Sequence, residues 1–355
     1  MCRTRTIAER KCAEQLEKLG INSAQRFIEV TSTATFKQQG EIWLNSLSAR
    51  KRNPLEQTTI DTRRYALDKW IYPSLGDTYL ADVNNHALKE LVEGMAATLS
   101  PASIRDYANI VKAVVASAID ENGDEKFPRK WNDEYIDAPL VRQQRQPTST
   151  CAGVSNILLF ALGQFRVLYA LLAGCGPLRA GEALGLEIDK HISSDFRTLQ
   201  IVQKAKRGVI QPYLKTRNGA RQVDLCTQLA NMLREYAGDR RAGLLFRSST
   251  GAQLLQSNAL SDSLHPVLDY LTHDRGGFNI FRRFRLTHLE KSDCPEALKH
   301  FWSGHAPRHI SERYVKLAQE RDFRLIWAEK IGLGFELPGT PVGQLGQLLQ
   351  FRKAV

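Results

Sequence analysis

Midway along the chain, Val141-Arg142-Gln143-Gln144-Arg145-Gln146-Pro147-Thr148-Ser149-Thr150 runs with almost no apolar side chain. Such a stretch has nothing to bury, so a single continuous core cannot pass through it. It reads as an exposed linker between separately packed bodies. At 355 residues the chain is long enough for two or three domains, each with its own core.

Before the linker the apolar pattern is helical. Phe36, Ile42, Trp43, Leu44 and Leu47 recur at the spacing of an amphipathic helix starting at Thr35. The basic run Arg50-Lys51-Arg52-Asn53-Pro54 reads as a loop. A second helix is expected from Thr59 to Trp70, broken by Tyr72-Pro73-Ser74-Leu75-Gly76-Asp77. Ser100-Pro101 supplies a cap and a proline at the first helical position. The helix it opens carries Ile104, Tyr107, Ile110, Val111, Val114 and Ile119 on one stripe and should end near Asn122-Gly123. Nothing alternates with period two, so residues 35–125 should form about four helices, behind a short helical leader over 1–30.

After the linker, the run from Ile157 to Cys175 is apolar enough to suggest a membrane. Gln164 and Arg166 sit in its middle, and an Arg at mid-bilayer costs roughly 2.5–3.5 kcal/mol. A buried core helix over 155–175 is the better reading. Short β-prone runs follow at Leu199–Val202 and Arg221–Leu225, with turn chemistry at Asn218-Gly219. Helical patterns resume to about Lys330. The Gly- and Pro-rich tail 332–355 should be mobile at its end. The expected fold is mainly α with a small antiparallel β element.

Charge narrows the partner. Forty-nine Lys and Arg against 38 Asp and Glu give +11, a balance suited to a polyanion because neutralising phosphates releases counterions. The six cysteines are scattered without a CxxC, which fits free thiols in a reducing compartment. The charged N-terminus has no apolar signal region. A cytoplasmic, nucleoid-associated protein with no membrane partner is the expectation.

The chemistry concentrates in Ser303-Gly304-His305-Ala306-Pro307-Arg308-His309-Ile310-Ser311-Glu312-Arg313-Tyr314-Val315-Lys316-Leu317. A tyrosine hydroxyl titrates near pH ~10, so it attacks a phosphodiester only if cations stabilise the charge that develops. Three further segments offer such cations. Arg179 precedes Gly181-Glu182, and Lys215 lies in Leu214-Lys215-Thr216-Arg217-Asn218-Gly219, a candidate β-hairpin. Arg282 lies in Phe281-Arg282-Arg283-Phe284-Arg285-Leu286-Thr287-His288-Leu289. No Walker motif, HExxH or paired Cys/His set suggests a nucleotide or a metal.

In that order and spacing, these segments resemble the tyrosine recombinases of the phage-integrase family, from about Phe36 to Leu317. Tyr72-Pro73-Ser74-Leu75-Gly76 and Leu99–Tyr107 are similar to integrase segments in the first half. The resemblance implies a helical core-binding domain over 31–140, a linker over 141–152 and an α+β catalytic domain over 153–331. It assigns Arg179 and Arg282 as the catalytic arginines, Glu182 as the supporting acid, Lys215 as the hairpin lysine and general acid, His305 as a donor and Tyr314 as nucleophile. Arg282 is chosen over Arg283 and Arg285 because it lies five residues before Thr287-His288-Leu289. His273, His288, His300 and His309 are taken as non-catalytic.

The implied partner is double-stranded DNA, cut and rejoined by a tetramer on paired sites through a 3′-phosphotyrosine, with accessory DNA-bending proteins and without a cofactor or metal. One position departs from the pattern. Three residues before Arg282 the family places a His, and here stands Asn279, which donates a hydrogen bond but cannot shuttle a proton near pH 7. The alternatives are a non-catalytic DNA-binding relative, which Asn279 motivates, and a type IB topoisomerase-like activity, with the same chemistry but no exchange between duplexes.

Overall fold

The computed structural model describes residues 34–52, 54–141, 146–214, 219–305 and 316–338, which divide in sequence into two compact units between Gln144 and Arg145. The expected leader over 1–30 lies outside the described residues, as do Lys215 and Tyr314.

The first unit is helical. Helix α1 (Phe36–Ser48) starts at a capping box, in which the Thr35 hydroxyl accepts the Gln38 N–H and the Gln38 side chain accepts the Thr35 N–H. Helix α2 (Gln57–Ala66) does not stop at Trp70 as expected. It continues through a π turn (Leu67–Ile71) into one more turn (Tyr72–Leu75), where the Tyr72 N–H reaches the Leu67 carbonyl. The widened turn puts Pro73 into a fresh first turn, where its missing N–H costs nothing. Asn84 caps α3 (Asn85–Ala96), and Ser100 caps α4 (Pro101–Ala116) as the sequence predicts. Helix α4 ends short of Asn122-Gly123. The Asp120 carboxylate accepts the N–H groups of Asn122 and Asp124, closing a loop that leaves Ile119 exposed rather than on the apolar stripe. One turn, α5 (Asp133–Ile136), completes the unit. Phe36, Leu44, Leu67, Ile71, Leu88, Val111 and Val114 form its core.

The second unit opens with two helices where one was expected over 155–175. Helix α6 (Cys151–Phe160), capped by Thr150, already includes the last two residues of the expected linker. Extended backbone at Ala161 and Leu162 separates it from α7 (Gly163–Gly174). Arg166 explains the break: its Nε donates to the Leu158 and Ala161 carbonyls and its Nη2 to that of Leu159. The cation thus satisfies the open C-terminal end of α6. Helix α7 is buried from Val167 to Gly174 and packs on α10 (Thr227–Ala237) and α12 (Asn279–Lys291). Among the described residues no helix is long and apolar enough to cross a membrane.

Between α7 and α10 lie α8 (Ala180–Leu184), α9 (Ile188–His191) and two antiparallel strand pairs. Strand β1 (Thr198–Ile201) pairs with β4 (Arg221–Asp224), setting Thr198 opposite Asp224 and Ile201 opposite Arg221. Strands β2 (Lys204–Lys206) and β3 (Val209–Gln211) form a hairpin turning at Arg207-Gly208. The strand following Asn218-Gly219 therefore pairs back to β1, and the described hairpin is the earlier one.

Further on, α11 (Gln256–Ala259) runs through a π turn into His265–Tyr270, and α13 (Glu296–Ser303) and α14 (Arg321–Ile331) both pack on β4. Residues 332–338, expected in a mobile tail, lie on the core. Leu333 is buried, the Glu336 N–H donates to Ser155, and Arg285 donates to the Gly332 and Leu333 carbonyls.

Candidate active site

Arg179 sits where α7 hands over to α8. The approach depends on Gly176, where a Cβ would come within 2.8 Å of Val223 and 2.9 Å of Trp302. Arg179 is the N-cap of α8, with extended backbone. Glu182, three residues on, reaches back to accept the Arg179 N–H at 2.9 Å and its Nη1 at 2.8 Å. One carboxylate thus caps the helix and orients the guanidinium. Glu182 is 3% exposed, while the Arg179 side chain keeps 36% of its surface open. The carboxylate is the buried support, and the arginine side chain it holds stays partly open to solvent.

Arg282 comes from the first turns of α12, which is seated by its neighbour: Phe281 stacks on the fully buried Tyr169 of α7 at 5.2 Å. Such pairs add about 0.5–1.5 kcal/mol beyond area burial. The Arg282 Nη1 donates to the Pro177 carbonyl, two residues before Arg179, and Nη2 donates to the Ser303 carbonyl at 3.1 Å. The same Nη2 lies 3.4 Å from His305 Nε2. A guanidinium has no acceptor, so this contact requires an unprotonated Nε2 and places the ring proton on Nδ1. His305 itself is exposed. It follows Gly304, whose φ of +67° closes α13 in the left-handed conformation that favours glycine.

Electrostatics ties these groups together. Burial pushes Arg282 down to about 10, helped by the charges of Arg179 and Arg221 and opposed by Glu182, so it remains a cation at neutral pH. Although His305 is exposed, partial desolvation of its ring lowers its pKa, reinforced by Arg282, Arg179, His300 and Arg221. Burial works against ionisation of Glu182, but the Arg221 charge and its hydrogen bonds, with those from Arg179, outweigh it and hold the carboxyl below its ordinary 4.5. The site is an excess of positive charge around one buried acid, the condition in which a phosphate is a welcome ligand.

The sequence missed Arg221, the first residue of β4. Its buried guanidinium donates to Glu182 at 2.8 Å, to the Trp302 carbonyl at 2.7 Å and to the Gly219 carbonyl at 2.8 Å. Its proximity to the turn at Asn218-Gly219 was the only local signal. The other arginines of α12 face elsewhere: Arg285 is buried, and Arg283 donates to the Pro147 carbonyl. Asn279 is exposed in the first turn of α12, three residues before Arg282 and hence on the same helix face. The structure thus brings Arg179, Glu182, Arg282 and His305 together, while Lys215 and Tyr314 lie outside the described residues.

Comparison with known proteins bears on the fold. No family model matches the sequence, and no curated protein is significantly similar to it. Solved structures do match. The Tn1549 transposon integrase in complex with a circular intermediate DNA superposes with a TM-score of 0.65 at 16% identity, covering 83% of this chain and 100% of that one. A lambda integrase tetramer bound to a Holliday junction gives 0.58 at 15% identity, covering 87% and 89%. The XerH site-specific recombinase bound to a palindromic difH substrate gives 0.51 at 13%, covering 84% and 98%. Over most of its length this chain has the tyrosine recombinase fold.

Proposed function

We propose that the protein is a site-specific DNA recombinase or integrase that cuts and rejoins strands through a covalent 3′-phosphotyrosine on Tyr314. A phosphodiester under attack gains charge on its non-bridging oxygens, and two guanidiniums offer forked donors that match them. Arg179 and Arg282 supply those forks and His305 adds a donor. Tyr314 gives up its phenolic proton to solvent as it attacks the phosphorus, and the displaced 5′-oxygen leaves with a proton from Lys215. The bond energy stays in the phosphotyrosine, and attack by another strand's 5′-hydroxyl reseals the backbone without ATP. Each of the two units, the N-terminal helical one and the catalytic one, contacts the duplex.

The observation that carries this reading is that Arg282 joins the two halves of the site, with Nη1 on the Pro177 carbonyl two residues before Arg179 and Nη2 on the Ser303 carbonyl and 3.4 Å from His305 Nε2. The solved neighbours are integrases and a recombinase in DNA complexes, one of them a tetramer on a Holliday junction. A tetramer on paired sites is accordingly part of the proposal. Asn279 supports a second reading, a DNA-binding relative without cleavage. A plasmid assay with two copies of a sequence that the protein selects from a random pool separates the possibilities. Strand exchange gives recombinant products, topoisomerase-like chemistry gives only relaxed plasmid, and the DNA-binding relative gives a shifted but intact substrate.

A further inference from the structure

We propose that Arg221 is the positioning residue of this site, fixing Glu182, and through it Arg179, against the Trp302 carbonyl that leads into His305. The inference deepens the recombinase reading and rests on it. Four contacts carry it: Nε to Trp302 O at 2.7 Å, Nη1 to Gly219 O at 2.8 Å and to Glu182 Oε1 at 3.4 Å, and Nη2 to Glu182 Oε2 at 2.8 Å. They join three stretches far apart in sequence: the start of α8, the end of α13, and β4 with Gly219 just before it. The Arg221 side chain is 2% exposed, so it cannot touch a DNA phosphate. It acts only through the groups it holds.

Both of its acceptor sets lead directly to the phosphate-facing groups. Each Glu182 oxygen accepts from both arginines, Oε1 from the Nη1 of each and Oε2 from Arg221 Nη2 and the Arg179 N–H, so the direction of the Arg179 fork depends on where Arg221 holds that carboxylate. Trp302 is fixed at its carbonyl by Arg221 and at its indole N–H by the buried Asp224, 2.9 Å away. The next carbonyl, Ser303, accepts from Arg282, and His305 lies two residues beyond. Arg221 thus sets the separation between the Arg179 side and the Arg282–His305 side. A lysine would keep the charge but not the planar fork, and could not hold these acceptors in the same arrangement.

Arg221→Lys and Arg221→Met are to be compared with wild type for DNA affinity and for single-turnover cleavage of a nicked duplex bearing the binding site. Arg285→Met serves as a control for disturbing a buried arginine, and melting curves identify the temperature at which every variant is folded. Positioning predicts that both Arg221 variants bind DNA as wild type does but cleave about 100-fold more slowly, the effect expected of a misplacement near 1 Å. Arg285→Met should cleave at the wild-type rate. A folded Arg221→Lys protein cleaving at the wild-type rate would overturn the proposal, because charge alone would then suffice. If wild type itself forms no adduct, the recombinase reading fails and Arg221 is judged by NMR. Sharp, slowly exchanging Arg179 and Arg282 Nε–H signals that broaden in Arg221→Lys uphold the positioning role, and signals that do not change refute it.

Discussion

Arg282 donates through Nη2 to the main-chain carbonyl of Ser303, 3.1 Å away, while its Nη1 holds the carbonyl of Pro177. One side chain therefore spans the turn that ends in Arg179 and the turn that ends in His305. Arg282→Lys has a single ammonium in place of that fork. We expect cleavage to fall about 10²–10³-fold, the range seen when one charge-stabilising donor is lost. DNA affinity measured by mobility shift should change far less.

Partial desolvation of the ring, then the neighbouring arginines, hold the His305 pKa below the ordinary value of 6.5. In the free protein its ring resonance should titrate with a midpoint below 6.5, and adding the duplex should move that midpoint up as a phosphate arrives. The sign for stability follows. As pH falls, the unfolded chain takes the proton first, so the contribution of this ring is present above 6.5 and is lost through the folded midpoint. A free-protein midpoint above 6.5 in the NMR titration would contradict the site as described.

Glu182→Gln leaves Arg221 buried without its counter-charge. Breaking a buried pair from one side costs about 3–5 kcal/mol, so the melting temperature should drop by many degrees. Because the Glu182 carboxyl is held below 4.5, its contribution is present above that pH and is lost as pH falls through the folded value. The stability difference between wild type and Glu182→Gln, measured by denaturant titration, should therefore shrink in acid.

Arg324 and Asp224 are both fully buried and paired at 2.7 Å, and Arg324 also donates to the Leu317 carbonyl. Asp224 accepts from Trp302 and Thr198 as well. Arg324→Met should cost about 3–5 kcal/mol by stranding that carboxylate. Arg324→Met combined with Asp224→Leu should recover part of the loss in thermal melts.

Asn279 shares a helix face with Arg282 but cannot exchange a proton near neutrality. Asn279→His should speed cleavage and add a limb to the pH–rate profile near ~6.5, the ordinary histidine value. A profile without that limb would place position 279 outside the reaction.

Much of this site was legible because its parts are local in sequence. Arg179 with Glu182 is a three-residue relation, and Gly304-His305 announces a helix end followed by a donor. Arg221 was not legible, because its meaning comes from partners 39 and 81 residues away. Arg282 and Arg285 lie one turn apart on one helix, yet one reaches Pro177 and the other Gly332. Only the family's offset, not composition, separated them. In the fold, periodicity located the helices but not their breaks. The Arg166 side chain that ends α6, the π turn before Pro73 and the Asp120 loop after α4 are each decided by a single side chain or turn. An apolar stripe does not register such details.

The central claim is covalent attack by one tyrosine at a site built around Arg179, Arg282 and His305. A nicked suicide duplex carrying a sequence selected by the protein from a random pool, incubated and then quenched with SDS, tests it directly. Wild type should leave a protein–DNA adduct whose modified peptide contains Tyr314, and Tyr314→Phe should leave none. An adduct that persists in Tyr314→Phe, or a wild-type protein that binds the duplex and never becomes joined to it, would contradict the account.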